Sequence, residues 1–71
     1  MAESVYKVIE IIGTSTDSWE KAASAALERA AETLRELRIA EVTEQDIVVK
    51  DGKVDSYRVK LRVSFKYDDN D

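Results

Sequence analysis

Apolar and polar residues alternate with two different periods along the chain, and the change of period predicts the order of elements. Residues 4–12 are rich in β-branched and aromatic residues, which is typical of a strand, and we expect Gly13 to end it. Residues 19 to about 38 place apolar side chains at steps of three and four, the spacing of one helix face. Residues 39–49 and 54–67 again have strand composition. The pattern predicts an α+β fold, β-α-β-β, with a three-stranded antiparallel sheet curled around one helix.

The first strand is apolar on both of its faces. Tyr6, Val8 and Ile12 share one parity, and Val5, Ile9 and Ile11 share the other. A strand of this kind is normally covered on both sides. One helix covers only one side of the sheet, so we expect a second subunit to cover the other.

The predicted helix has a recognisable start and a distinctive stripe. Asp17 and Glu20 have the spacing of a capping box, and Glu20 complements the helix dipole. Alanines dominate the middle of the apolar stripe, which permits a close approach of the helix to the sheet.

The last two strands form a predicted hairpin. Asp51-Gly52 between two strand patterns is a strong hairpin signal. The apolar parity of the second strand changes between Val42 and Ile47, which indicates a bulge or a bend. The third strand alternates strictly, with apolar residues at odd positions and a row of basic residues at even ones.

The turn also predicts which residues face each other across the hairpin. If no bulge intervenes, Glu41 lies opposite Arg62 and Gln45 lies opposite Arg58. Arg58 then has two interpretations. It is a cross-strand ion-pair partner, or its planar guanidinium binds a phosphate or another anion at a subunit interface.

Composition limits the chemistry available to the chain. Its 71 residues allow a single domain, 1–71, in which 68–71 form a flexible acidic tail. There is no Cys and no His, which excludes disulfides, thiolate zinc sites, a Ser-His-Asp triad and a Cys nucleophile. A chain this small is marginally stable alone, so oligomerisation is expected. No constellation supports catalysis, and we predict that the protein is not an enzyme.

The net charge and the hydropathy pattern argue against binding to nucleic acids or membranes. The 11 Lys and Arg against 15 Asp and Glu give a net charge of −4, and the basic row of the third strand lacks interleaved exposed aromatic residues. The apolar runs are far shorter than a membrane span, and the N-terminus has no secretory pattern. We therefore expect a cytoplasmic protein that binds neither nucleic acid nor membrane.

Nearly the whole chain, residues 5 to 67, resembles the dodecin family. The order and spacing of four segments carry the resemblance: 6–15 (YKVIEIIGTS), Glu32-Thr33-Leu34, Ala40-Glu41-Val42 and 57–65 (YRVKLRVSF). Dodecins are small proteins that assemble as hollow homododecamers. Many bind flavins as stacked pairs between subunits and store them. The resemblance therefore implies a dodecameric binding or storage particle.

Two positions depart from the flavin-binding pattern of that family. The stacking Trp at the start of the second strand corresponds to Ile39, and the Gln of the third strand that bonds the flavin ring corresponds to Arg58. Ile39 offers no aromatic face, and Arg58 donates hydrogen bonds but accepts none. The chain is closest to the branch without the stacking Trp, for which calcium binding has been proposed.

The resemblance thus predicts a site at subunit interfaces formed by Ile39, Arg58, Glu41 and Gln45. Calcium or another small ligand is expected there, and no metal ligands are assigned. The oxygen-rich segment 14–18 is interpreted as a helix cap rather than a calcium site. Two alternatives stay open. The particle stores riboflavin or FMN in a repacked pocket, or it is a purely structural assembly module.

Overall fold

Three antiparallel strands and one helix make up the fold, as the sequence predicts. A computed structural model describes residues 3–66. The elements are β1 (Tyr6–Ser15), α1 (Trp19–Ala31), β2 (Leu37–Lys50) and β3 (Lys53–Lys66). Strand β3 lies in the middle of the sheet and pairs with β1 on one side and β2 on the other. The predicted acidic tail, 68–71, lies outside the described residues.

Strand β1 continues through Gly13, so the prediction that this glycine ends the strand is wrong. Gly13 pairs with Val59 within the β1–β3 ladder, which continues to Ser15. Its role is steric, because a Cβ at this position would collide with the backbone oxygen of Ala22 and lie 2.9 Å from Cβ of Ala26. The expected close approach of the Ala-rich stripe is therefore confirmed, and Gly13 is the residue on which it depends.

The helix begins at Trp19 as predicted, but its cap is a different residue. The backbone N–H of Lys21 donates to Oγ of Ser18 at 3.0 Å, which makes Ser18 the N-cap instead of Asp17. Asp17 lies one position earlier and forms an ion pair with Nζ of Lys21 at 3.0 Å. Glu20 lies in the first turn, where its charge complements the helix dipole.

The helix ends at Ala31, seven residues before the predicted end at Arg38. The apolar spacing continues through Leu37, but Leu37 pairs with Phe65 of β3 and packs against the core instead. The chain turns at Glu36, whose φ of 53° is incompatible with a right-handed helix. Strand pairing therefore overrides local helix propensity here.

The β2–β3 hairpin has the predicted turn, but its register is less regular than predicted. Val49 faces Val54 and Val48 faces Ser56, which leaves Asp55 as an extra residue of β3. Asp51 and Gly52 have φ values of 53° and 73°, as a type I′ turn requires. The predicted bulge is confirmed at Thr43, since Val42 faces Leu61 and the next paired residue is Glu44. The hydroxyl of Thr43 donates to the backbone oxygen of Lys60 at 3.2 Å.

The helix covers only part of the sheet. Thirteen residues make a helix of about 20 Å, whereas the described chain is 54 Å long. The fully buried side chains of the described region are few: Ala22, Val59, Leu61 and Val63. Large apolar side chains are exposed on both faces of the sheet and at its ends: Val5, Tyr6, Val8, Ile12, Ile39, Val42, Ile47, Val49 and Val54. An isolated chain leaves much of its apolar surface in water.

Gly13→Ala should destabilise the protein, because the added methyl group must push α1 away from β1. Overpacking of this kind costs about 1–3 kcal/mol, measurable as a lower free energy of unfolding in urea. Gly52→Asn is the control, since Asn tolerates positive φ and nothing lies near that position. Equal stability of Gly13→Ala and the parent would show that the helix can move at no cost.

Candidate ligand-binding face

The side of the sheet that points away from α1, called the outer face below, carries most of the sheet's charged side chains. Arg58, Lys60 and Arg62 form its central basic row on β3. The register places an acidic residue beside each of them on β2: Asp46 opposite Arg58, Glu44 opposite Lys60 and Glu41 opposite Arg62. Glu10 of β1 also faces Arg62. Opposite charges directly across a sheet stabilise the pairing of its strands.

Asp46 and Arg58 form the best-aligned ion pair on this face. Arg58 Nε donates to Asp46 Oδ1 at 2.8 Å, and Nη2 donates to Oδ2 at 2.9 Å. This two-point geometry matches the guanidinium to the carboxylate and fixes both side chains. The hydrogen bond from Arg58 lowers the pKa of Asp46 below its usual value, and the same bond raises the pKa of Arg58.

The rest of the basic row is held more loosely. Lys60 Nζ lies 3.5 Å from Glu44 Oε1 and 4.0 Å from Glu10 Oε2. Arg62 Nη2 lies 3.8 Å from Glu10 Oε2. These groups are too far apart for strong hydrogen bonds, and they are exposed to solvent. Ion pairs of this kind contribute little to the stability of the fold.

Two aromatic side chains on the other side of the sheet support the Asp46–Arg58 pair. Trp19 Nε1 donates to the backbone oxygen of Asp46 at 3.2 Å, which ties the start of α1 to β2. The Trp19 ring also packs edge-on against Tyr57, the residue before Arg58, with centroids 5.0 Å apart. The indole therefore contacts the backbone of Asp46 and the side chain next to Arg58, as expected for an anchoring Trp.

A small depression surrounds the ion pair. Its volume is about 160 Å³. It is lined by Ile12, Glu44, Asp46, Arg58 and Lys60. Two cationic and two anionic side chains balance each other in it.

The structure separates the four residues predicted to form the ligand site. Ile39, Glu41 and Arg58 lie on the outer face, where Ile39 is opposite Ser64 and 68% exposed. Gln45 does not lie opposite Arg58. An extra residue of β3, Asp55, shifts the register between the turn and Thr43, so Gln45 pairs with Val59 on the helix side of the sheet.

Gln45 instead lines a groove between α1 and β2. This groove has a volume of about 400 Å³ and is bordered by Trp19, Glu20, Ala23, Val42 and Val59. Asp46, which takes the place beside Arg58, was not among the predicted site residues. The available signal was in β3, where Val54 is apolar at an even position although the apolar residues from Tyr57 onward stand at odd ones.

No metal site is complete within a single chain over residues 3–66, where no three His, Cys, Asp or Glu side chains are grouped to hold an ion. The oxygen-rich segment at the helix start is engaged locally, because Ser15 Oγ accepts from the N–H of Asp17 at 3.0 Å and Ser18 caps α1. In the same range, no helix is long and apolar enough to cross a membrane.

Comparison with known proteins identifies the family. The sequence profile of the family described as Dodecin matches residues 5–68. The chain belongs to the dodecin family. The calcium dodecin of Mycobacterium tuberculosis is 54% identical over 63 residues, 89% of each chain. The dodecin of Thermus thermophilus is 42% identical over 65 residues, 92% of this chain and 94% of the relative.

Solved dodecin structures have the same fold. The dodecin of Streptomyces coelicolor superimposes with a TM-score of 0.92 at 36% identity and covers 97% of this chain and 99% of its own. The crystal structure of the M. tuberculosis calcium dodecin, described as having a novel calcium-binding site, gives a TM-score of 0.83 at 52% identity. It covers 96% of this chain and 97% of its own. The dodecin β-α-β-β arrangement predicted from sequence is thus confirmed.

Asp46→Asn should lower the free energy of unfolding at neutral pH, and the difference from the parent should shrink in acid. Because Asp46 has a lowered pKa in the folded state, its charge stabilises the fold above the unfolded value near 3.8. That contribution is lost as the pH falls through the lower folded value. Urea unfolding from pH 7 to pH 3 measures both curves.

Glu28→Gln is the control for this experiment, since it removes one exposed carboxylate from α1 without touching the Asp46–Arg58 pair. It should track the parent across the same pH range. A difference between Asp46→Asn and the parent that stays constant down to pH 3 would show that the ionised pair contributes nothing to stability.

Proposed function

We propose that the chain forms a homododecameric particle that binds or stores a small ligand between subunits, and that this ligand is calcium rather than a stacked flavin. The proposed role is binding and not catalysis, because the charged groups of the outer face are arranged in opposite-charge pairs. A cytoplasmic location stays a prediction of the sequence.

Exposed apolar surface supports the assembly. The described chain buries only four hydrophobic side chains fully. Val8, Ile12 and Ile39 are exposed on the outer face, at 55%, 56% and 68%, while Val42 and Val49 are exposed on the other. Apolar patches of this kind mark contact surfaces. Additional copies of the chain supply the cover that one helix does not.

The outer face carries the argument against a stacked flavin. Ile39 occupies the position where flavin-binding dodecins place their Trp, so an isoalloxazine ring finds no aromatic partner there. Arg58 occupies the position of the ring-binding Gln, and its guanidinium is already bonded to Asp46 at two points. The Asp46–Arg58 pair is the single observation on which this part of the proposal depends.

Calcium is supported by a relative and by the kind of ligands available. The M. tuberculosis protein that is 54% identical is a calcium dodecin. Calcium requires six to eight oxygen ligands, and residues 3–66 of one chain do not group three carboxylates. One chain therefore does not fit the ion alone. We infer that carboxylates of more than one subunit meet around it.

Native mass spectrometry of the purified protein tests assembly and ligand together. We expect a twelve-subunit mass that gains calcium and ignores added FMN. Calcium should also raise the thermal midpoint, because a ligand bound only by the folded state stabilises it. Magnesium at the same concentration is the control, since it prefers a smaller octahedral site.

Other outcomes separate the alternatives. A dodecamer that gains flavins in pairs would support flavin storage and contradict the interpretation of Ile39. A dodecamer that takes up neither ligand would support a purely structural module. A monomer or dimer would contradict the proposed assembly.

Restoring the flavin-binding pattern provides a second test. Ile39→Trp combined with Arg58→Gln should make the protein quench riboflavin fluorescence, because each ring–aromatic stack contributes about 1–3 kcal/mol. Val49→Trp combined with Arg58→Gln is the matched control, since residue 49 is equally exposed but lies on the other face. Tight quenching by the parent protein would show that stacking on residue 39 is not required.

A further inference from the structure

We propose that Asp46 determines which ligands the outer face accepts: its carboxylate occupies the Nε–Nη2 edge of the Arg58 guanidinium and thereby excludes anionic groups such as phosphates from that edge. This deepens the proposed function, since it concerns the specificity of the same face. It answers a question left open by the sequence, where Arg58 was interpreted either as an ion-pair partner or as an anion ligand.

The Asp46 carboxylate already occupies one binding edge of the Arg58 guanidinium. A guanidinium binds an oxyanion best through two parallel N–H···O bonds. On Arg58, one such pair of donors, Nε and Nη2, is already used at 2.8 Å and 2.9 Å by the two oxygens of Asp46. A phosphate that approaches this side of Arg58 must displace a carboxylate held at both oxygens.

Asp46 is held beside Arg58 by the strand register and by a bond from Trp19. The extra residue Asp55 in β3 brings Asp46, and not Gln45, opposite Arg58. The bond from Trp19 Nε1 to the backbone oxygen of Asp46 then holds that residue from the helix side. Asp46 is consequently attached to the fold at its backbone and to Arg58 at its side chain, which opposes its displacement.

Charge and volume show what the depression would hold without Asp46. Arg58 and Lys60 balance Glu44 and Asp46, so removing the Asp46 charge leaves a net positive depression. Its volume of about 160 Å³ corresponds to several water molecules at about 30 Å³ each, which is enough for a tetrahedral oxyanion. The depression therefore becomes an anion site once Asp46 is neutral.

Isothermal titration with inorganic pyrophosphate at fixed ionic strength tests the proposal. EGTA is present throughout, so that calcium plays no part and failure of the calcium proposal does not affect the result. Asp46→Asn should bind pyrophosphate about tenfold or more tightly than the parent, the scale of a hydrogen bond to a charged group. Adding Arg58→Gln to Asp46→Asn should remove the gain.

Glu44→Gln is the matched control, because it removes the same charge from the same depression but leaves the Asp46–Arg58 pair closed. It should change the affinity by no more than about threefold, as expected for an exposed charge. Equal gains in Glu44→Gln and Asp46→Asn would overturn the proposal, since net charge alone would explain them. No gain in Asp46→Asn would overturn it too.

A crystal of the unmodified protein soaked in sulfate provides a test that does not depend on any variant folding. We expect the Asp46–Arg58 bonds to be intact and no sulfate on the guanidinium of Arg58. A sulfate bonded to Arg58 Nε and Nη2, with the Asp46 side chain turned away, would overturn the proposal.

Discussion

The strict alternation of β3 is the constraint on which the rest of the structure depends. This strand lies between β1 and β2, and from Tyr57 to Phe65 its odd residues face α1 and its even residues face away from it. Val59, Leu61 and Val63 form the centre of the core, and Arg58, Lys60 and Arg62 form the basic row. A slip of one residue would exchange the two sets and place three cations under the helix. Core and outer face are thus specified by the same strand.

An extra residue in β3 decides the chemistry of the outer face. Counted from the turn without it, Gln45 would lie beside Arg58, and the carboxylate of Asp46 would point to the helix side. Asp55 is the extra residue, and it brings Asp46 opposite Arg58 while the amide of Gln45 faces the core. A single extra residue therefore gives Arg58 a carboxylate partner in place of an amide, with no change in composition.

Elements that depend on neighbours in sequence could be predicted, and those that depend on distant contacts could not. The alternation of β3 and the Asp51-Gly52 turn are local patterns, and the structure has both. The prediction for Gly13 is wrong because a glycine after a strand pattern usually marks the end of the strand. Here Gly13 lies inside the strand, and its missing side chain leaves room for the helix backbone at Ala22. The predicted helix runs past Ala31 because Leu34 and Leu37 keep the helical spacing. In the structure, Leu37 belongs to the sheet.

The partner of Arg58 depends on two extra residues, one in each strand of the hairpin. The extra residue Asp55 in β3 moves Gln45 away from Arg58. The extra residue Thr43 in β2 then restores the register, so Glu41 keeps its predicted partner. The error is therefore confined to the part of β2 between the two bulges, as expected if register is transmitted along a strand until an extra residue interrupts it.

The outer face combines two kinds of surface with different roles. Val8 and Ile39 flank Ser64 near one end of the sheet, where apolar side chains are exposed and invite contact with another copy. Asp46 and Arg58 lie towards the other end, where they form an ion pair with two hydrogen bonds. Burying an apolar residue between subunits is favourable, whereas burying an unpaired Arg is costly. The closed pair therefore lets this face approach another subunit without leaving an isolated charge, and the same closure limits the ligands that the face can hold.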